Sequence, residues 1–430
     1  MGAKELRASL THDPPSPRMP PSTDLRSVLA LVGLAAALSA AAAVSDRNWP
    51  VAAVSLVLLA ASGWRIASAP PPVARGAVPR VLVGAAINLS VLTVALGLSG
   101  LAAEGAVRWL YRDVTTTADF RGYFTTRWMR AQVRHNHYQY RGAEFDEVRP
   151  PGIYRVAVMG DSFTYGNGVP EDRRFSNLLG AALRPRGIEV LNFGFPGNNW
   201  PEHVKTLERR ILRLRPDFVL LQWGINDVEL DSDVAARPLA PPLIANRAWH
   251  DALHERSALY TMLNAQWVRT QLTREMGDAY PGYMTRLYAD PGSPGAVQAA
   301  TLMRRFIALA RARNVGVGVL LFPDATVSLG PDYPYRFLHE RVQAICDDEH
   351  TPCVDLLPRL AVIPDRFTLW ASSLDAHPSI LANQIAAQAI EQTLAPQWGH
   401  MARRRGLKGL VDGRRIELLT SALRTRRSPS

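Results

Sequence analysis

The chain has 430 residues, 47% of them apolar and 20% charged, with two cysteines and a net charge of +11. This is ordinary globular composition, enough for roughly two or three domains; it excludes a disordered, collagen-like or disulfide-scaffolded chain and a four-cysteine zinc site. A mean hydropathy of −0.06 excludes a chain made mostly of membrane helices, and the positive balance alone leaves nucleic acid, an anionic membrane or no specific partner open.

Residues 1–26 form a basic segment with Lys4, Arg7, Arg18 and Arg26. Residues 27–103 then carry five charged side chains: Asp46, Arg47, Arg65, Arg75 and Arg80. Three apolar runs lie there: Ser27–Val44, Trp49–Trp64 and Val81–Ala103. A membrane helix needs about 17–25 mostly apolar residues. The third run meets that easily, the first just does and the second is marginal. The expectation is an anchor of about three helices. The linker from Arg65 to Arg80 has three arginines and no acid. With the basic segments on the cytoplasmic side, everything after Ala103 lies outside. A competing reading makes the first run a cleaved secretory signal, because Leu38-Ser39-Ala40-Ala41 is rich in small residues. The following domain is then still outside. Residues 104–150 read as a stalk, and Arg149-Pro150-Pro151-Gly152 as a domain boundary.

Beyond that boundary strands alternate with helices. Tyr154–Met159, Glu189–Phe193, Phe218–Gln222, Val315–Phe322 and Cys353–Leu356 read as five short buried strands. Glu171–Leu183, His203–Leu214, Ala296–Ala312, Pro334–Asp347 and Ile380–Leu394 read as helices. That alternation implies a parallel sheet covered on both faces, an α/β fold of the three-layer α/β/α sandwich type over residues 151–398. Residues 228–295 fit the pattern poorly and read as an insertion.

Gly160-Asp161-Ser162-Phe163 follows the first strand, at the carboxyl end where ligands bind in such sheets. A serine there needs a base to become nucleophilic. His377 lies in Leu374-Asp375-Ala376-His377-Pro378, with Asp375 near enough to orient it. Acyl transfer also needs oxyanion donors. The loop Asn192-Phe193-Gly194-Phe195-Pro196-Gly197-Asn198 offers a glycine N–H, and Gly224-Ile225-Asn226-Asp227 offers the Asn226 amide. Each motif alone is common in turns; in this order and at these strand ends they point to one shared crevice.

These blocks resemble the SGNH (GDSL-type) hydrolases, over roughly Tyr154 to Leu394. The resemblance implies a flavodoxin-like five-stranded sheet. It also implies Ser162 as nucleophile, His377 as general base and Asp375 as its acid. The oxyanion hole would be the N–H groups of Ser162 and Gly194 with the Asn226 amide. No cofactor is implied. In the family the acid usually stands three residues before the histidine; here that place holds Leu374, and Asp375 stands two before. Thr164 in place of a second glycine separates the pattern from the Gly-x-Ser-x-Gly elbow of ordinary α/β-hydrolases.

The remaining candidates are weaker. His135, His137, His250, His254 and Glu255 lack a zinc-type spacing, so no metal is expected. Cys346 and Cys353 stand either as a disulfide or as two buried thiols. The tail, residues 399–430, has nine basic and two acidic side chains. It reads as a solvated end, an amphipathic membrane contact or an acidic-glycan binder, and nucleic acid is not expected outside the cell. The expectation is a multi-pass, membrane-anchored serine esterase facing the periplasm or exterior. Its substrates would be acyl, chiefly acetyl, esters of envelope glycans or lipids. The alternatives are an O-acyltransferase acting on an envelope polysaccharide and a non-catalytic glycan-binding module.

Overall fold

The computed structural model describes residues 80–117, 121–229, 241–276 and 280–401. The first two apolar runs and the basic tail beyond Met401 lie outside them. The third run is a single helix, α1 (Arg80–Leu110). Within it, Asn88–Leu110 is a 23-residue stretch of mean hydropathy 1.6 with none of its length buried. It is the one helix among the described residues long and apolar enough to cross a membrane. Its charged pair Glu104–Arg108 closes on itself one turn apart at 2.6 Å.

A second compact unit begins at Arg112. Its elements in chain order are α2 (Tyr123–Gln132), β1 (Tyr154–Gly160), α3 (Ser162–Tyr165), α4 (Phe175–Leu183), β2 (Ile188–Gly194), α5 (Trp200–Arg209) and β3 (Phe218–Trp223). They continue with α6 (Arg247–Arg256), α7 (Ala258–Met276), α8 (Tyr280–Tyr288), α9 (Pro294–Arg311), β4 (Gly316–Leu321), α10 (Arg336–Asp348), β5 (Cys353–Asp355) and α11 (Leu357–Leu360). The hairpin β6 (Trp370–Ser372) and β7 (Asp375–Pro378) and the helix α12 (Ile380–Thr393) complete the unit.

The main sheet has the order β2-β1-β3-β4-β5 with every pairing parallel. All of β1 and β3 is buried, as expected for strands covered on both faces. Right-handed crossovers send α4 to one face, where α12 joins it, and α5, α9 and α10 to the other. The order reverses direction at β1, so the chain leaves β1 at the switch point of the sheet, where a crevice opens.

Two glycines let the chain double back tightly there. A Cβ on Gly160 would lie 2.2 Å from Thr164 Oγ1 and 2.5 Å from Gln222 Oε1. One on Gly194, its register partner on β2, would lie 2.3 Å from the Tyr165 backbone nitrogen. At the opposite end of β1, fully buried Arg155 pairs with Glu189 at 2.6 Å and donates to the carbonyls of Asp146, Glu147 and Leu214.

The five strands and the helices between them fall within a few residues of the sequence reading. Two regions differ. Residues 112–117 and 121–150 belong to this second unit: α2 buries Tyr123, Phe124 and Trp128. Arg141 and Arg174, both buried, converge on the carbonyls of residues 165–169. Arg141, within the segment read as a stalk, is thus used for carbonyl cradling. The insertion supplies α6 to α8, and α7 docks on α2, with Tyr123 N–H donating to Thr261 Oγ1 at 3.1 Å. The β6–β7 hairpin was not anticipated; three and four residues are too few to show a period.

Gly160→Ala should destabilise the protein by about 1–3 kcal/mol through overpacking at the strand end. A denaturant midpoint equal to wild type, followed by tryptophan fluorescence, would contradict this packing.

Candidate active site

The turn that follows β1 is fixed from several sides. The Asp161 carboxylate caps α3 by accepting from Phe163 N–H at 2.8 Å. Buried Gln222 on β3 presents Oε1 to the Asp161 N–H at 3.3 Å and to the Thr164 hydroxyl at 2.9 Å. Asn192 on β2 donates to the Thr164 carbonyl at 2.7 Å. Gly166, with φ of +77°, ends the turn in the left-handed conformation. Ser162 is therefore held half-buried at the switch point.

The hairpin strand β7 brings the histidine. Side chains two apart on a strand share a face, so the Asp-x-His spacing projects both groups the same way. His377 Nδ1 lies 2.5 Å from Asp375 Oδ1 and its Nε2 lies 2.8 Å from Ser162 Oγ. The Asp375 Oδ1 also accepts the His377 backbone N–H at 3.1 Å. The second carboxylate oxygen accepts the hydroxyl of Thr116. An edge of the Phe163 ring packs against His377.

Burial opposes charge on His377, but the Asp375 carboxylate, with Asp161 and Asp324 beyond it, outweighs burial and raises the imidazole pKa above its ordinary value. Burial likewise opposes ionisation of Asp375, yet His377 and the Thr116 hydroxyl hold its carboxyl below the usual range. The pair is thus arranged for an imidazolium to form against an ionised carboxylate when the serine proton leaves.

Beyond β3, Gly224 N–H donates to Asp227 Oδ2 at 3.0 Å, and buried His203 stands 3.1 Å from Asp227 Oδ1. This anchors the short turn Ile225–Val228, which carries Asn226 half-buried. The Asn226 amide reaches the Asn198 carbonyl at 3.5 Å, placing the loop after β2 alongside it. Burial, and then the neighbouring Asp227, raise the pKa of Asp161.

One expected donor is already engaged. Gly194 is buried as the last residue of β2, and its N–H already donates to Asn192 Oδ1 at 2.9 Å. Gly197, three residues on, is exposed in the loop with φ of +82°. Sequence reasoning also missed Thr116 and Gln222, which lie outside the motif blocks and show no local signal. Among the histidines weighed as metal ligands, His135 meets the Tyr165 hydroxyl at 3.1 Å, His250 meets that of Tyr260 at 2.9 Å, and His137 pairs with Glu144. Glu255 pairs with Arg130. Cys346 and Cys353 are free thiols, and the neighbouring Cys346, with burial, pushes the Cys353 thiol pKa up.

A serine hydroxyl, an imidazole and a carboxylate in one hydrogen-bonded line, at the switch point of a parallel sheet, define a serine hydrolase. The profile of the GDSL-like lipase/acylhydrolase family matches residues 158–385, and the chain belongs to that family, an SGNH-type serine hydrolase. Among solved structures, the chain is similar to TesA, with 17% identity over 56% of this chain and 98% of that one and a TM-score of 0.35. It is also similar to a lipolytic protein of the G-D-S-L family from Veillonella parvula (15% identity, 56% of this chain and 98% of that chain, TM-score 0.35). A third is a catalytic mutant of Axe2, an acetylxylan esterase from Geobacillus stearothermophilus (15% identity, 56% and 93%, TM-score 0.36). No curated protein matches the chain.

The raised imidazole pKa sets the pH dependence. With neutral His377 required, kcat/KM for an activated acetyl ester should fall as pH drops, with a midpoint above about 6.5, the ordinary histidine value. Asp375→Asn should lower that midpoint. A pH–rate series with a midpoint at or below the ordinary value in wild type would contradict the coupling.

Proposed function

We propose that the protein is a membrane-tethered serine esterase that hydrolyses acyl, chiefly acetyl, esters of cell-envelope glycans or lipids. The single observation that carries the chemistry is the line from Asp375 through His377 to Ser162. Ser162 Oγ attacks the ester carbonyl as His377 Nε2 takes its proton, and Asp375 stabilises the imidazolium. The oxyanion accepts from the Ser162 N–H, the Asn226 amide and the N–H of Gly197, which takes the place first assigned to Gly194. Collapse expels the alcohol, which takes the proton from His377. Water then attacks the acyl-serine, giving its proton to His377, and the carboxylic acid leaves as Ser162 is restored.

The tether rests on α1. Leu89, Val91, Leu92 and Leu96 are exposed along it, and Trp109 stands exposed near its end, followed by Tyr111 and Arg112. Apolar flanks closed by aromatic and basic side chains are the signature of a membrane–water interface. With the arginines of the 65–80 linker on the cytoplasmic side, the hydrolase unit faces the periplasm or exterior, and further spans come from the first two apolar runs. The anchor then ends near residue 110 and the hydrolase domain runs from 112 to 398, including the segment first read as a stalk.

Detergent-solubilised protein should release acetate from acetylated envelope polymer, and Ser162→Ala should lower that rate by at least about a thousandfold. Hydrolysis of a small activated ester without acetate release from any acetylated glycan or lipid would remove the substrate assignment while keeping the enzyme. A C-terminal alkaline-phosphatase fusion should be active; activity of a cytoplasmic reporter alone would overturn the orientation.

A further inference from the structure

The carboxylate of Asp375 is buried, and its two oxygens are used differently. Oδ1 takes both N–H groups of His377. Oδ2 faces away from the histidine and accepts from the hydroxyl of Thr116, a fully buried residue that precedes the residues matched by the family profile. An ionised carboxylate only accepts, so the Thr116 hydroxyl must donate.

Thr116 is itself held on every side. Its carbonyl accepts from the Ser372 hydroxyl at 2.8 Å, which ties it to the hairpin that carries His377. Arg127 on α2 donates to the carbonyls of Arg112 and Val114 at 2.9 and 3.0 Å. Thr117 N–H donates to Thr125 Oγ1 at 3.1 Å. Across the gap, Gly168 backs onto the same residue: a Cβ there would lie 2.6 Å from Thr116 Oγ1 and 2.6 Å from Ala371 Cβ. The hydroxyl therefore has a fixed address, between the hairpin and the loop that follows the Ser162 turn.

We infer that Thr116 is a positioning residue of the hydrolase site: its hydroxyl fixes the Asp375 carboxylate, and through it the ring of His377, so that the segment leading into the domain is part of the catalytic machinery. The acid here stands two residues before the histidine, on the same short strand. That strand offers Oδ2 nothing of its own, and a buried oxygen left unpaired is costly. Thr116 supplies the missing donor. This inference rests on the serine-esterase reading above, because it assigns Thr116 an effect only through Asp375 and His377.

The test uses the full-length protein in detergent and a small activated acetyl ester. Thr116→Val should lower kcat about tenfold with KM within about twofold of wild type, and should displace the acid limb of the pH–kcat profile. Thr116→Ser, which keeps the hydroxyl, should retain at least half of kcat and the wild-type limb. The other charges facing His377, Asp161 at the end of β1 and Asp324 after β4, are the same in all variants. In an Asp375→Ala background, where no polar atom remains at 375 to meet the hydroxyl, Thr116→Val should cost nothing further, since the bond it removes is already lost. If Thr116→Val does not accumulate folded, Thr116→Ala carries the same comparison. A Thr116→Val enzyme with wild-type kcat and limb would overturn the inference, as would an equal loss in the Asp375→Ala background. Ser162→Ala run alongside separates the two claims. If it retains activity, the esterase reading fails; if it is inactive while Thr116→Val is fully active, only the role of Thr116 fails.

Discussion

The site depends on one hydrogen bond, between His377 Nε2 and Ser162 Oγ, joining residues 215 positions apart in sequence. Both ends must be immobile for a 2.8 Å contact to persist, and the fold supplies an independent clamp for each. On the serine side, Gln222, Asn192 and Asp161 hold the turn, and Gly160 and Gly194 allow it to lie flush on the strand ends. On the histidine side, the four residues of β7 align Asp375 with His377. The clamps hold the serine and the histidine in the geometry that their reaction needs.

The electrostatics of the crevice follow from the same crowding. Asp161, Asp227 and Asp324 ring the site, and burial raises the pKa of Asp161 and Asp324. Asp161 caps the serine turn, and Asp227 caps the Asn226 turn and faces His203. Acidic side chains are thus spent on backbone order, with a field that favours a protonated imidazole as a consequence. That field suits a base that must accept and hold a proton through each half-reaction.

Much of this architecture was legible in the sequence, for identifiable reasons. Buried parallel strands such as Tyr154–Gly160 are short apolar runs ending at glycine, and Ser162, Asn226 and His377 stand directly beside such strand ends or a helix start. What was hidden depends on where strands stop and on distant partners. β2 extends one residue further than Phe193, so Gly194 is absorbed into the ladder and its N–H turns to Asn192; the loop's second glycine is left in the open. Thr116 meets Asp375 across 259 positions, and nothing local marks it. Arg141 and Arg174 look like surface charges in sequence, but each finds enough carbonyl oxygens to be buried.

The most direct test of the account is covalent. The full-length protein treated with a fluorophosphonate probe and digested for mass spectrometry should carry the label on Ser162 alone, and His377→Asn should abolish labelling. Esterase activity that persists without modification of Ser162, or a label on another residue, would contradict the account.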